Sequence, residues 1–260
     1  MESRVLVTTR CSIQLSLRSD LLMPQLRRRR LYHIEVELCA LWLNSWNLLS
    51  DLESFDPACR VCPRLAEFLD GVREKYPSYF AAPVPAFGDQ SPRLLVVGLA
   101  PGMHGANQTG RPFTGDYAGI LLYQTLFDLG LSNSPVSEHV DDGLELDGVR
   151  ISNAVKCLPP QNKPDTSEIR NCNPFLKHEI EHLPAGCNLF ALGLVAHQAV
   201  LRAYGLKLSS LKFAHGAVHE LPDGRKLYDS YHCSRYNQNT KRLTVEMFVD
   251  VMRSAVAVES

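Results

Sequence analysis

The sequence predicts an α/β protein built on a layered sheet, because short apolar runs of strand length recur along the chain and segments with helical apolar spacing separate them. Arg93–Leu99 (RLLVVGL) reads as a strand buried on both faces, running out into Ala100, Pro101 and Gly102. Ile120, Leu121, Tyr123, Leu126 and Phe127 mark a helix over Tyr117–Leu129, closed by Gly130. Val149–Val155 is a second core strand. Ser167–Leu183 follows as a helix capped by Ser167 or Thr166, then Asn188–Leu192 as a third strand and Val195–Tyr204 as the helix behind it. Lys226–Tyr231 is the fourth strand, and Leu243, Met247, Val251 and Ala255 mark a terminal helix over Thr240–Val256. In such sheets the chemistry gathers beyond the carboxyl ends of the strands, here after Leu99, Val155, Leu192 and Tyr231.

Composition narrows the class. Of 260 residues, 45% are hydrophobic and 21% charged, which describes a globular protein of one large or two small domains and excludes a disordered, collagen-like or coiled-coil chain. The 27 basic residues nearly balance 28 acidic ones, so any grip on a polyanion has to come from a local patch. The most apolar early stretch, Leu31–Leu49, is interrupted by His33, Glu35 and Glu37, which argues against a membrane span. Arg27–Arg30 precede it without a small-residue cleavage site, which argues against an export signal, and the chain reads as cytosolic. Residues 1–48 form a basic accessory arm and residues 49–260 the globular domain. Val36–Glu53 carries an apolar helical face that leads into the body near Phe55.

Two loops concentrate the unusual residues. Residues 98–116, GLAPGMHGANQTGRPFTGD, hold five glycines and two prolines, which let the backbone approach a ligand closely and fix its shape. His104, Asn107, Phe113 and Asp116 add polar contacts, a flat apolar surface and a carboxylate. The spacing matches neither the phosphate-loop nor the dinucleotide fingerprint. Residues 232–244, HCSRYNQNTKRLT, supply His232, Ser234 and Asn237 for a polar base or a phosphodiester. Arg235, Lys241 and Arg242 make the local positive patch. Of the eight cysteines, Cys59 and Cys62 form a close pair that in a reducing compartment points to metal ligation or redox chemistry.

These two loops resemble the active-site motifs of the uracil-DNA glycosylase superfamily, and in detail its iron-sulfur type 5 branch (family B), over about Leu49 to Val256. The resemblance implies a three-layer α/β/α fold around a central four-stranded parallel sheet, and an enzyme that removes uracil and other deaminated bases from DNA. It also implies that Cys157 and Cys172, flanking KCLPPQNKPDTSEIRNC, join Cys59 and Cys62 as metal ligands. Four thiolates fit either a [4Fe-4S] cluster or tetrahedral zinc, and the iron-sulfur choice rests on the resemblance. Cys187 is the alternative fourth ligand. The expected role of the cluster is structural, pinning the loop before the sheet to the loop after its second strand.

The chemistry of N-glycosidic cleavage assigns the remaining roles. A base inside a duplex has to be flipped into a pocket, where Phe113 stacks on it and Asn153 reads its edge. Gly98, Ala100, His104, Asn107, Ser234 and Asn237 complete the expected substrate contacts, and Arg111, Arg235, Lys241 and Arg242 those to backbone phosphates. His232 stabilises the departing base as a hydrogen-bond donor without needing to be protonated. Leu99 and Ala100 stand where other branches place a polar residue, so Asp116 is the nearest carboxylate able to activate water. Asp116 also suits the cap of the helix that follows, and Asn153 also suits a strand end. The absent polar group at Leu99 and Ala100 implies broad specificity, with hypoxanthine and xanthine accepted besides uracil. The protein is expected to act as a monomer. Two other classes fit less well: a hydrolase of free nucleosides or nucleotides on the same fold, and a non-catalytic iron-sulfur DNA-binding module.

Overall fold

The computed structural model describes residues 55–257. The basic arm over residues 1–48 and the helical face over Val36–Glu53 lie outside the described residues. In chain order the elements are α1 (Pro63–Lys75), β1 (Phe87–Gly88), β2 (Leu94–Gly98), α2 (Ala106–Thr109), α3 (Tyr117–Asp128) and β3 (Val149–Asn153). Then follow α4 (Thr166–Glu181), β4 (Asn188–Leu192), α5 (Leu194–Ala203), β5 (Val218–Glu220), β6 (Lys226–Ser230), α6 (Arg235–Asn239) and α7 (Val245–Val256).

The sheet has the order β1-β3-β2-β4-β6-β5. Its four inner strands are parallel, as expected, and the two short edge strands pair antiparallel. Strand β2 is buried along its whole length because helices cover both faces of the sheet. Leu94 and Val96 pack with Leu122 and Leu126 of α3 and Phe248 and Met252 of α7. Leu95 and Val97, pointing the other way, pack with Leu176 and Ile180 of α4 and Ala196 and Val200 of α5. One strand thus divides two cores, the period-2 signature of a three-layer sandwich.

Several boundaries differ from expectation for identifiable reasons. Helix α1 was not predicted, although Pro63 at its first position and the buried positions Leu65, Ala66, Leu69 and Val72 carry its signal. The cap of α4 is Asp165 rather than Ser167 or Thr166: Glu168 reaches back to accept the Asp165 N–H at 2.7 Å, a reciprocal capping box. The expected helix from Thr240 begins only at Val245, and a separate short helix, α6, precedes it. Ser234 caps α6, Lys241 takes a left-handed backbone with φ of 56° that no helix continues through, and Thr244 starts α7 by accepting from the Met247 N–H. Among the described residues, no helix is long and apolar enough to cross a membrane.

Candidate active site at the carboxyl ends of the strands

The chain leaves β2 for β3 on one side and later returns to β4 on the other, so a crevice opens at the carboxyl end of β2. A cavity of about 470 Å³ lies there, within the size range of small-molecule pockets. Leu99, Ala100 and Gly102 line it after β2, Phe113, Asp116, Tyr117 and Ala118 at the start of α3, Asn153 at the end of β3, and His232, Ser234 and Arg235 after β6. The two loops singled out by sequence therefore face one space.

Glycine is needed at Gly98 because a Cβ there would lie 2.3 Å from Asn153 Oδ1 and 2.7 Å from Phe113 Cζ. Asn153 sits across the ladder from Gly98, 3% exposed, and its Oδ1 has no hydrogen-bond partner. An orphaned buried acceptor costs on the order of 1–3 kcal/mol, which a ligand donor recovers. Phe113 holds a strained φ of 59°. Its segment is pinned by the Tyr123 hydroxyl, which donates to Pro112 O at 2.7 Å, and by the bare Gly119, where a Cβ would strike Phe113 O at 1.9 Å. The Phe113 ring centroid is 6.2 Å from that of His232.

Asp116 occupies the capping position of α3, yet its side chain makes no cap hydrogen bond. Its Oδ2 instead accepts the Ala106 N–H at 3.2 Å, across the glycine-rich loop. Burial raises its pKa above the usual carboxylate value, and the Ala106 and Gly102 backbone N–H groups counter part of that rise. A half-desolvated carboxylate with directed donors is suited to accept a proton from water. His232 is pushed down to about 4 by burial, so at neutral pH it is an uncharged imidazole. Asn237 Nδ2 donates to His232 O at 2.8 Å and Gln238 Nε2 to Cys233 O at 2.7 Å, fixing the loop that presents the ring.

Other expected contacts fall elsewhere. Arg111 is 3% exposed and faces inward: it donates to Thr114 Oγ1 and Ser137 Oγ at 2.8 Å and to Asp142 Oδ2 at 2.5 Å, bonds the His139 carbonyl, and lies over the Phe87 ring. It is a structural anchor and not a phosphate contact. His104 is exposed and bonded through Nδ1 to the Tyr79 hydroxyl at 2.8 Å, outside the cavity lining. Asn107 is fully buried behind the loop with neither amide atom partnered, also outside that lining. Asn237 holds loop backbone and does not reach the cavity, whereas Ser234 lines the cavity while its Oγ caps α6. Lys241 is exposed at the bend after α6, and the Arg242 guanidinium sits 4.5 Å from the Tyr231 ring centroid. Sequence reasoning missed Asn162, which reaches the cavity from the segment between Cys157 and Cys172, and Tyr117 and Ala118, which read only as helix.

Cys59, Cys62, Cys157 and Cys172 line one small pocket between the start of α1, the loop after β3 and α4. The Asn171 amide donates to Cys62 Sγ at 3.6 Å and the Lys156 backbone N–H to Cys172 Sγ at 3.2 Å. Behind them, Arg64 grips both Glu168 oxygens at 2.8 and 2.6 Å. Cys187, the alternative ligand, packs instead in the core beneath α4 and α5. Among the described residues, the metal-capable group whose ligand atoms all lie within 4.8 Å is His197, His219 and Asp229, in which each histidine hydrogen-bonds one oxygen of Asp229.

Residues 85–255 match the family described as the uracil DNA glycosylase superfamily. A type-5 uracil-DNA glycosylase of Thermus thermophilus is 47% identical over 76% of this chain and 92% of its own length. One of Pyrobaculum aerophilum is 45% identical over 76% and 88%. A type-4 uracil-DNA glycosylase of Sulfurisphaera tokodaii is more distant, 30% identical over 66% and 74%. With its cavity framed by the two motif loops, the chain belongs to the uracil-DNA glycosylase superfamily, in its type-5 branch.

Proposed function

We propose that this protein everts uracil, and with it other deaminated bases such as hypoxanthine and xanthine, from DNA and hydrolyses the N-glycosidic bond to leave an abasic site. The observation that carries this reading is the convergence of Asp116, Phe113, Asn153 and His232 on one cavity. Asp116 accepts a proton from the water that attacks C1′, the C1′–N bond breaks with its electrons going to the base, and the uncharged His232 donates a hydrogen bond to the oxygen where that charge collects. Phe113 covers a face of the everted ring, and the free Oδ1 of Asn153 takes an N–H from its edge. Leu99 and Ala100 leave part of the wall apolar, which supports admission of purines as well. Tyr236, 71% exposed on the first turn of α6 and four residues after His232, supports the same reading as an aromatic side chain open to the stack that the base leaves.

Cys59, Cys62, Cys157 and Cys172 would hold a [4Fe-4S] cluster, which supplies a covalent tie between segments and no electron to the hydrolysis. Four thiolates would also fit tetrahedral zinc, and the choice of the cluster rests on the type-5 likeness. The test incubates purified protein with oligonucleotides bearing uracil, hypoxanthine, xanthine or thymine mismatches, followed by alkaline strand scission. Uracil-dependent scission by the unaltered chain, lost in Asp116→Asn with DNA binding kept, is the expected result. Release of base from mononucleosides but not from DNA would replace this reading with nucleoside hydrolysis. A visible absorption spectrum with a broad band near the brown iron-sulfur region, abolished in Cys172→Ser, reports the cluster separately.

A further inference from the structure

The cavity mouth is bridged by two residues from opposite loops. Tyr117 opens α3 directly after Asp116, and Arg235 opens α6 three residues after His232; the Arg235 guanidinium carbon lies 4.5 Å from the centroid of the Tyr117 ring. Both line the cavity, and Arg235 is exposed. Among the described residues the guanidinium has no carboxylate or carbonyl partner, so the ring face is what holds it. That contact has a chemical consequence. A guanidinium seated on an aromatic face uses its π surface there and keeps its N–H donors, which lie in its own plane, free for another acceptor. Two N–H groups in a fixed fork match the two oxygens of a phosphodiester. An unrestrained arginine gives up side-chain entropy to make the same contact, and a seated one less.

We infer that Tyr117 is a positioning residue: it seats Arg235 at the mouth of the cavity so that the guanidinium takes a backbone phosphate of the everted nucleotide. This rests on the glycosylase reading for the nucleotide's place but concerns a residue that removes no charge when it is changed. That property separates it from ordinary packing. Each phosphate neutralised in duplex DNA contributes about 0.9 to the slope of log K against log salt concentration. Arg235→Gln is expected to lower the slope by that amount. Tyr117→Ala, with the charge of Arg235 intact, is expected to lower it by a similar amount and to weaken binding by about 2- to 5-fold, the worth of an exposed cation–π contact. Tyr117→Phe retains the ring and is expected to keep the slope, and Tyr117→Ala combined with Arg235→Gln to lose no more than Arg235→Gln alone.

The experiment measures binding of the full chain to uracil-containing duplex in an Asp116→Asn background, from low to moderate salt. If Tyr117→Ala keeps the full slope while Arg235→Gln lowers it, Tyr117 does not position the arginine. An unchanged slope in both variants overturns the phosphate contact as well. Uracil release by the unaltered chain, assayed beside these measurements, reports only on the glycosylase reading, so the two ideas fail separately.

Discussion

The carboxylate of Asp116 lies against Gly105 so closely that a Cβ on the glycine would sit 2.0 Å from Asp116 Cγ. Gly102 meets the same carboxylate from another side, with its Cβ position 2.4 Å from Oδ1. The glycines of the first loop are therefore the mould in which the proposed water-activating group is cast. Gly105→Ala is expected to displace Asp116 and lower single-turnover uracil release by about 100-fold, the usual cost of a misplacement near 1 Å. Gly130→Ala is the contrast: it has φ of 71° but nothing within 4 Å of a Cβ, so it is expected to lose about 1 kcal/mol of stability and keep the rate. Equal rates for the two variants would remove Gly105 from this role.

The two titrating groups give a definite pH profile. Asp116 has to be ionised to take a proton, and burial raises its pKa, so the rate falls with acid at a pH above that of an ordinary carboxylate. His232, held down to about 4, stays neutral throughout that range and contributes no step near the usual histidine value of about 6.5. A single-turnover profile with an inflection near 6.5 that disappears in His232→Gln would contradict the neutral imidazole. The sign for stability is the same. A histidine whose folded pKa is depressed favours folding above the unfolded value and loses that contribution as pH falls toward about 4.

Arg111 and Arg235 should separate cleanly in solution. Arg111 is enclosed with Asp142, whose carboxyl is held far below the usual range by Arg111 and three backbone N–H groups despite its partial burial. Arg111→Met is expected to cost about 3–5 kcal/mol in denaturant unfolding, because it strands that carboxylate. The salt dependence of DNA binding should stay as it is. A lowered salt slope with unaltered stability would return Arg111 to the DNA surface.

Tyr236 offers a test of base eversion itself. Tyr236→Ala is expected to lower uracil release from duplex DNA by about tenfold, since unstacking costs a few kcal/mol, while release from single strands changes little. Equal losses on both substrates would place Tyr236 in the pocket chemistry instead.

Most of the frame was legible because its strands are continuous apolar runs. Asn188–Leu192 is a strand over the residues expected, β6 is trimmed by one residue at the carboxyl end, where the chain turns into the site, and β2 by one residue at each end. The edge strands were not legible: two residues at Phe87–Gly88 and three at Val218–Glu220 are too short to show alternation. Within the site, glycine spacing disclosed the first loop, but nothing local marks Arg111 as inward-facing. Its partners Ser137, His139 and Asp142 lie more than twenty residues away, so a solvated arginine and a socketed one look alike in sequence. Asn162 was hidden for a similar reason, since it belongs to the cysteine segment and reaches the cavity only through the fold.

The grip of Arg64 on Glu168 spans the helix that begins beside Cys62 and the helix that carries Cys172, and Glu168 also closes the capping box that starts that second helix. This fastening is made of charge and hydrogen bonds alone. The places of Cys62 and Cys172 are thus linked through an ion pair that neither thiol touches, so a change at Arg64 or Glu168 reaches both sulfurs at a distance.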